Sequence, residues 1–183
     1  MKKLTILGPS PDSNEYISNE IINKYFNTVK ILGEEYEWEY WGNEEDDYSR
    51  SEIFAESLDL CMIGHGDTRT TFIYKGYALK IAHCKDGEED NKKEIDLWNF
   101  SSNEVKKYLV PILYGTVNYL IMPLGEFIYE MVDYKKIEKE LEKLGYAFYD
   151  LDKQDNFVNL NGEIKICDYA DYYKLNNVKI LAQ

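Results

Sequence analysis

The sequence predicts an α+β fold, because its strand patterns and its helix patterns are grouped along the chain rather than alternating regularly. Short apolar runs rich in β-branched and aromatic residues indicate strands, and they lie at 58–63, 70–74 and 77–82. The dipeptides Lys75-Gly76 and Asn161-Gly162 are typical of tight turns between antiparallel neighbours. Two longer stretches, 90–100 and 134–144, carry the spacing of helices.

The elements follow one another in an order that divides the chain into three parts. Residues 1–56 form an acidic N-terminal extension, with a strand expected at 4–7 and a helix near Ile17–Phe26. Residues 57–124 hold three strands, the helix at 90–100, and strands at 109–117 and 119–122. Residues 125–183 hold the second helix and a hairpin of strands at 157–160 and 164–167.

Composition and charge narrow the classes of function. The 183 residues carry a formal net charge of −13, which opposes binding to phosphate backbones and argues against direct nucleic-acid binding. An acidic surface of this kind also fits a protein that mimics nucleic acid and inhibits a partner, although solubility alone explains it as well.

No stretch reaches the ~18 apolar residues of a membrane helix. The three scattered cysteines predict neither a disulfide framework nor a zinc site. A cytoplasmic protein is expected.

Two glycines stand between the first two predicted strands. Gly64 and Gly66 flank His65, and a turn without side chains lets backbone N–H groups come close to phosphates. An ordinary hairpin turn would have the same pattern. Gly64 and Gly66 are therefore candidate ligand contacts that need support from other residues.

A lysine in the middle of an apolar strand provides that support. Lys80 lies between Leu79 and Ile81, and an ammonium is costly to bury unless it is paired. The helix that follows offers Glu94 as the partner carboxylate, which would direct Lys80 towards bound phosphates. The alternative is an edge strand with Lys80 in water.

Carboxylates and an amide gather in the last third of the sequence. The segment 149–156 contains Asp150, Asp152, Asp155 and Asn156, and Asp168 directly follows an apolar run. Such groups can accept a proton from a hydroxyl and supply oxygen ligands to Mg²⁺. A polar surface loop is the usual alternative for the Asp-rich segment.

These residues occur in the order of the signature motifs of protein kinases, which the sequence resembles over about residues 58–172. The resemblance implies ATP and Mg²⁺ as cofactors, a β-rich N-lobe and an abbreviated C-lobe. It assigns Lys80, Glu94 and Asp150 to catalysis and Asn156 and Asp168 to the metal. It places Gly64, Gly66, Lys80 and the hinge residues Met122 and Leu124 at the nucleotide.

The nearer likeness is to very small members, namely phage-encoded kinase-like proteins and bacterial effector kinases with a truncated C-lobe. The sequence departs from the family pattern at the third loop glycine, where Arg69 stands, and at the end of the last motif, where Ala170 stands. Asp155 is five residues after Asp150 and Asn156 is six, so either is a candidate metal ligand. Asp152 remains an alternative base to Asp150.

The resemblance implies a minimal kinase that transfers the γ-phosphate of Mg-ATP to a protein hydroxyl. Two alternatives remain open. One is a pseudokinase that binds a protein partner without transfer, and the other is the acidic mimic of nucleic acid. A protein partner or substrate is expected by analogy, and a small-molecule hydroxyl stays open as the acceptor. No membrane association is expected. The compartment would be the host cytoplasm for a phage-encoded or injected protein.

Overall fold

The computed structural model describes residues 60–175, and these residues combine helices with antiparallel sheets, as the α+β class requires. The strand expected at 4–7 and the helix expected near Ile17–Phe26 lie outside the described residues, as do the first residues of the strand expected at 58–63. Within the described part, no helix is both long enough and apolar enough to cross a membrane.

The largest sheet has five strands in the order β1-β2-β3-β5-β4, and each neighbouring pair is antiparallel. Its strands are β1 (Cys61–His65), β2 (Arg69–Tyr74), β3 (Tyr77–Ala82), β4 (Tyr114–Gly115) and β5 (Tyr119–Pro123). Strand β3 is therefore central, with hydrogen-bonded neighbours on both sides. This position rules out the edge-strand alternative for Lys80.

The turn between β2 and β3 fixes the register of the sheet. Lys75 and Gly76 have φ values of 50° and 81°, the left-handed pair that a two-residue type I′ turn requires. The expected tight turn is confirmed. The resulting register places Thr71 opposite Lys80 and Arg69 opposite Ala82. Because side chains alternate along a strand, Arg69 lies on the same face of the sheet as Lys80.

The two faces of β3 have different roles. Leu79 and Ile81 pack with Phe72 in an apolar cluster on one face, and all three are fully buried. Ala78 and Lys80 point to the opposite face, where the main core and a cavity lie. The alternation explains how a lysine can follow an apolar residue without disturbing the core.

Helix α1 (Lys85–Phe100) begins five residues before the predicted start at 90. Gly87 lies inside the helix, where it lets the helix pack directly on the β1–β2 loop. A Cβ atom at Gly87 would lie 2.1 Å from the carbonyl oxygen of Thr68. The same helix face carries Asn91 and Glu94, which are fully buried.

The strand expected at 109–117 is mostly wrong. A short helix α2 (Asn103–Lys106) precedes it, and only Tyr114–Gly115 pairs with β5. Pro111 lies within the predicted strand and has no N–H for a sheet ladder. Instead, Leu109 forms an isolated parallel bridge with Ile166. This bridge ties the segment to the part of the described chain from Glu126 onwards, which is called the second half below.

The second half consists of helix α3 (Tyr134–Lys143) and two small antiparallel sheets. Asn161 and Gly162 have φ values of 56° and 86°, so the predicted hairpin turn is confirmed. The strands are β6 (Glu126–Phe127), β7 (Tyr146–Phe148), β8 (Phe157–Leu160), β9 (Glu163–Ile166) and β10 (Tyr172–Lys174). Sheet β6-β8-β9 and pair β7-β10 support the loops at 149–156 and 167–171.

A single cluster of buried side chains joins the helix α1 side of the large sheet to the second half. It includes Ile95 from α1, Met122 from β5, Phe157 from β8 and Tyr169. Burial of such side chains contributes about 1.5–3 kcal/mol each relative to leaving them exposed. The large sheet with α1 and the second half therefore share one core. The loops at 149–156 and 167–171, which carry the polar residues, meet the large sheet at the edge of this core.

Candidate functional site

Lys80 stands at the centre of the site. Its Nζ atom donates to Glu94 Oε1 at 2.9 Å and to the carbonyl oxygen of Cys167 at 3.1 Å, and it lies 3.4 Å from Asp168 Oδ1. The lysine is buried, and the sheet holds its backbone on both sides. The structure thus brings together the lysine, the helix carboxylate and the Asp after the hairpin, as the sequence predicted.

Arg69 is a second buried cation that the motif assignment missed. Its Nη1 atom lies 2.8 Å from Glu94 Oε1, and its Nη2 atom lies 2.5 Å from Asp168 Oδ1. Asn91 accepts a longer bond from Nη1 at 3.4 Å. A signal existed in the sequence: with the turn at Lys75-Gly76, strand pairing puts Arg69 on the face of Lys80.

Glu94 receives these cations at one oxygen. Oε1 also accepts the backbone N–H of Tyr169 at 3.3 Å, whereas the buried Oε2 has no hydrogen-bond partner among the described residues. Burial raises the pKa of Glu94 above its ordinary value, and the charges of Arg69 and Lys80 oppose that rise. An acceptor that is fully buried and shared in this way holds Lys80 in a fixed position.

Asp168 differs from Glu94 because its side chain is 44% exposed. Burial of the carboxyl acts to raise its pKa, but the adjacent charges of Lys80 and Arg69 outweigh burial and hold the pKa well below its ordinary value. Asp168 is therefore ionised at neutral pH. Burial acts to lower the pKa of Arg69, and the charges of Glu94 and Asp168 raise it instead.

Three of these charged groups, Arg69, Lys80 and Asp168, border a cavity of about 850 Å³ between the large sheet and the second half. This volume lies within the ~300–1,000 Å³ of small-molecule sites. The predicted residues that line it are Gly64, Gly66, Lys80, Met122, Leu124, Asp150, Asn156 and Asp168. Glu94 lies behind Lys80, in the protein interior.

Gly64 lies within β1 rather than between the strands as predicted, whereas Gly66 lies in the loop that follows. Both glycines line the cavity without a structural need for glycine in their own backbone. Neither has a positive φ, and an added Cβ would meet only ordinary contacts, at 3.8 Å from Thr71 Cβ for Gly64 and 3.7 Å from the carbonyl oxygen of Arg69 for Gly66. Thr68 anchors the loop to α1 by donating to Asp90 Oδ2 at 2.9 Å. Glycine at 64 and 66 therefore leaves the backbone facing the cavity without a side chain.

The opposite wall of the cavity is apolar. Met122 in β5 pairs with Ala78 in β3 and is buried. Leu124 follows β5, and the next residue, Gly125, packs so closely on Val158 that an added Cβ would lie 2.5 Å from its side chain. This close packing sets the position of the segment that leads from the large sheet to the second half.

The acidic loop places Asp150 at the cavity and leaves Asp152 outside its lining, where it is exposed. Lys153 donates to Asp150 Oδ2 at 2.7 Å, and Asn156 Nδ2 donates to the backbone oxygen of Asp150 at 2.8 Å. Asp155 and Asn156 both line the cavity. The choice between Asp150 and Asp152 therefore favours Asp150 on position, whereas position does not separate Asp155 from Asn156.

A divalent metal has a suitable, although small, set of oxygens here. Asp168 is ionised, and Asn156 uses its Nδ2 atom in the bond to Asp150, which leaves its Oδ1 as an acceptor. Within residues 60–175, no group of three or more His, Cys, Asp or Glu side chains could hold a metal ion. Asp168 and Asn156 fit Mg²⁺ only as partial ligands, with phosphate and water oxygens completing the shell.

No protein-family model matches the chain, and no curated protein matches it. A matching solved structure is the co-crystal of WbdD and the kinase inhibitor LY294002, with 13% sequence identity and a TM-score of 0.44. The match covers 60% of this chain and 32% of that chain, so this chain spans about a third of its length. Likeness at this level carries no argument about function, which must come from the contacts of the site.

Proposed function

We propose that the chain is a minimal kinase-like protein that binds ATP and transfers its γ-phosphate to a protein hydroxyl. The observation that carries this proposal is the position of Lys80. A buried ammonium held by Glu94 at 2.9 Å borders the cavity together with the ionised Asp168. Such a fixed positive charge suits phosphate oxygens better than a flexible surface lysine would.

The remaining cavity residues suit the parts of ATP. The backbone of Gly64 and Gly66 would face the phosphates, where the absence of side chains permits close approach. The apolar wall at Met122 and Leu124 would contact adenine. Lys80 would hold the α- and β-phosphates.

Transfer would place the acceptor hydroxyl at Asp150. The hydroxyl oxygen would bond to the γ-phosphorus while the bond from that phosphorus to the β–γ bridging oxygen breaks, and ADP would leave. Asp150 would take the hydroxyl proton. Mg²⁺ held by Asp168 and Asn156 would neutralise charge on the β- and γ-phosphate oxygens.

A second candidate is a binding module that takes up nucleotide without transferring phosphate. Two contacts favour it. The Asp150 carboxylate is already paired with Lys153 at 2.7 Å, and the Asp168 carboxylate is already paired with Arg69 at 2.5 Å. Both groups would have to change partners before transfer.

A nucleotide titration followed by a transfer assay separates these candidates. We expect ATP to bind wild type and to bind Lys80→Met at least tenfold more weakly. Lys92→Gln removes the same charge from the surface of α1, where Lys92 pairs with Asp96, and serves as the control. Binding followed by transfer of labelled γ-phosphate supports the kinase, and binding without transfer supports the second candidate. If nucleotide does not bind wild type, both are wrong.

A further inference from the structure

We propose that Arg69 neutralises Asp168 in place of a divalent metal while nucleoside triphosphate binds, so that binding needs no metal and Mg²⁺ enters at Asp168 only for transfer. This inference rests on the proposed nucleotide site. It assigns a role in ligand binding to Arg69, a residue outside the set predicted from the sequence motifs.

The contact geometry is the first support. Arg69 Nη2 lies 2.5 Å from Asp168 Oδ1, which is closer than Lys80 Nζ at 3.4 Å to the same oxygen. Arg69 is thus the nearer cation to the carboxylate that faces the cavity. A charge-assisted contact of this length is among the stronger hydrogen bonds in proteins.

The charge balance is the second support. With Glu94 ionised between its two cations, Lys80, Glu94 and Asp168 alone would carry one positive and two negative charges, and this net negative charge would repel a polyphosphate. Arg69 adds one positive charge within 2.8 Å of Glu94 and 2.5 Å of Asp168, so the four groups are neutral together. The negative charges of Glu94 and Asp168, which would repel phosphate, are then balanced by the positive charges of Lys80 and Arg69.

The fixed position of Arg69 is the third support. Its backbone is paired with Ala82 across the sheet, its side chain is 7% exposed, and it lines the cavity beside the glycine loop. A guanidinium keeps its charge at every physiological pH. The cation is therefore present before any ligand arrives, whereas a metal must be recruited from solution.

The test measures ATP affinity by isothermal titration in two buffers, one with EDTA and one with excess Mg²⁺. For wild type we expect dissociation constants within about threefold of each other, because Arg69 already neutralises Asp168. For Arg69→Gln we expect at least a tenfold loss of affinity in EDTA, since the net charge of the site becomes negative. Excess Mg²⁺ should restore most of that loss, because the freed Asp168 can then take a metal.

Two further variants complete the design. Arg69→Lys keeps the charge and should retain metal-free binding, and Lys92→Gln removes a surface charge from α1 and should behave as wild type. Thermal unfolding verifies that each variant is folded. If Arg69→Gln does not fold, the wild-type comparison and Arg69→Lys still decide the question.

Each result supports or overturns the inference. Wild-type affinity that is similar in both buffers, with a metal-dependent Arg69→Gln, supports it. Wild-type binding that requires Mg²⁺ overturns the inference and leaves the proposed nucleotide site intact. Equal metal dependence of wild type and Arg69→Gln also overturns it. Absence of binding in both buffers overturns the inference and the proposed function together.

Discussion

Glu94 Oε1 accepts the ammonium of Lys80 at 2.9 Å while it also contacts the guanidinium of Arg69 at 2.8 Å. One buried oxygen is therefore the meeting point of two cations from neighbouring strands. The network is asymmetric: removal of either cation leaves the carboxylate with a cationic partner, whereas removal of the carboxylate leaves the two cations to share one negative charge, that of Asp168. This asymmetry gives the first prediction.

Glu94→Gln should lower the free energy of unfolding more than Lys80→Met does. The first change leaves two buried cations with one exposed counter-ion, and loss of one member of a buried ion network typically costs about 3–5 kcal/mol. After Lys80→Met, Arg69 still neutralises Glu94, so we expect a cost of about 1–2 kcal/mol. Urea unfolding measures both values, with Lys92→Gln as the surface control. Equal costs would contradict a shared acceptor.

Gly64→Ala and Gly66→Ala should keep the stability of the fold and weaken ATP binding. The added methyl groups have room in the protein itself, with nearest contacts at 3.8 Å and 3.7 Å. A phosphate close to the same backbone would meet them, and we expect roughly a tenfold loss of affinity.

Gly76→Ala is the matched control for the two loop variants. Gly76 has a φ of 81° in the β2–β3 turn, where a Cβ has space but the backbone conformation is strained for other residues. This variant should lose about 1 kcal/mol of stability and retain ATP affinity. Unchanged affinity in all three variants would mean that the loop does not approach the ligand.

Asp150→Asn should abolish phosphate transfer without a comparable loss of ATP affinity, because the proposed mechanism places Asp150 at the acceptor hydroxyl. We expect a fall in kcat of at least a hundredfold, the usual scale for a lost general base. Asp152→Asn is the control, since Asp152 is exposed and lies outside the cavity lining. A larger loss for Asp152→Asn than for Asp150→Asn would reverse the assignment.

The thiol of Cys167 should resist alkylation in the folded protein. Burial raises its pKa from 9.0 to about 12, which reduces the thiolate at a given pH by about a thousandfold. Cys61 is exposed and should react first. Mass spectrometry of peptides after brief treatment with iodoacetamide at pH 8 checks the order. Labelling of Cys167 as fast as Cys61 would contradict the raised pKa of its thiol.

Asp168→Asn should change the pH dependence of stability in a defined direction. The folded-state pKa of Asp168 is lowered from 3.8, so its ionised form stabilises the fold above that value, and this stabilisation is lost as pH falls. Wild type should therefore exceed the variant in stability at neutral pH, and the difference should shrink as the pH falls below about 4. Denaturant unfolding at several pH values measures it. A difference that is constant with pH would exclude this contribution.

Local chemistry explains which elements the sequence predicts well. Strand β3 and its turn follow from an apolar run and the Lys75-Gly76 pair, and both match the structure. The partnership of Lys80 with Glu94 was also predictable, because a lysine in a central apolar strand needs a carboxylate. These inferences rest on the cost of burial, which acts the same way in any fold.

Contacts between distant segments explain which strands and contacts the sequence does not predict. The three-residue strands β7 and β10 pair across more than twenty residues of chain, and neither has a strong strand pattern alone. Leu109 bridges to Ile166 instead of extending the large sheet. Arg69 was recognised as a departure from a glycine, but its contact with Asp168 depends on how the two halves of the chain meet.

The absence of a side chain at Gly87 also joins two parts of the site. Because α1 rests directly on the carbonyl of Thr68, and Thr68 is bonded to Asp90 of that helix, the glycine loop and α1 form one mechanical unit. Glu94 belongs to the same helix. A displacement of the loop by a ligand would therefore be transmitted to the helix that holds Lys80, so that occupancy of the cavity and the position of the lysine would be coupled.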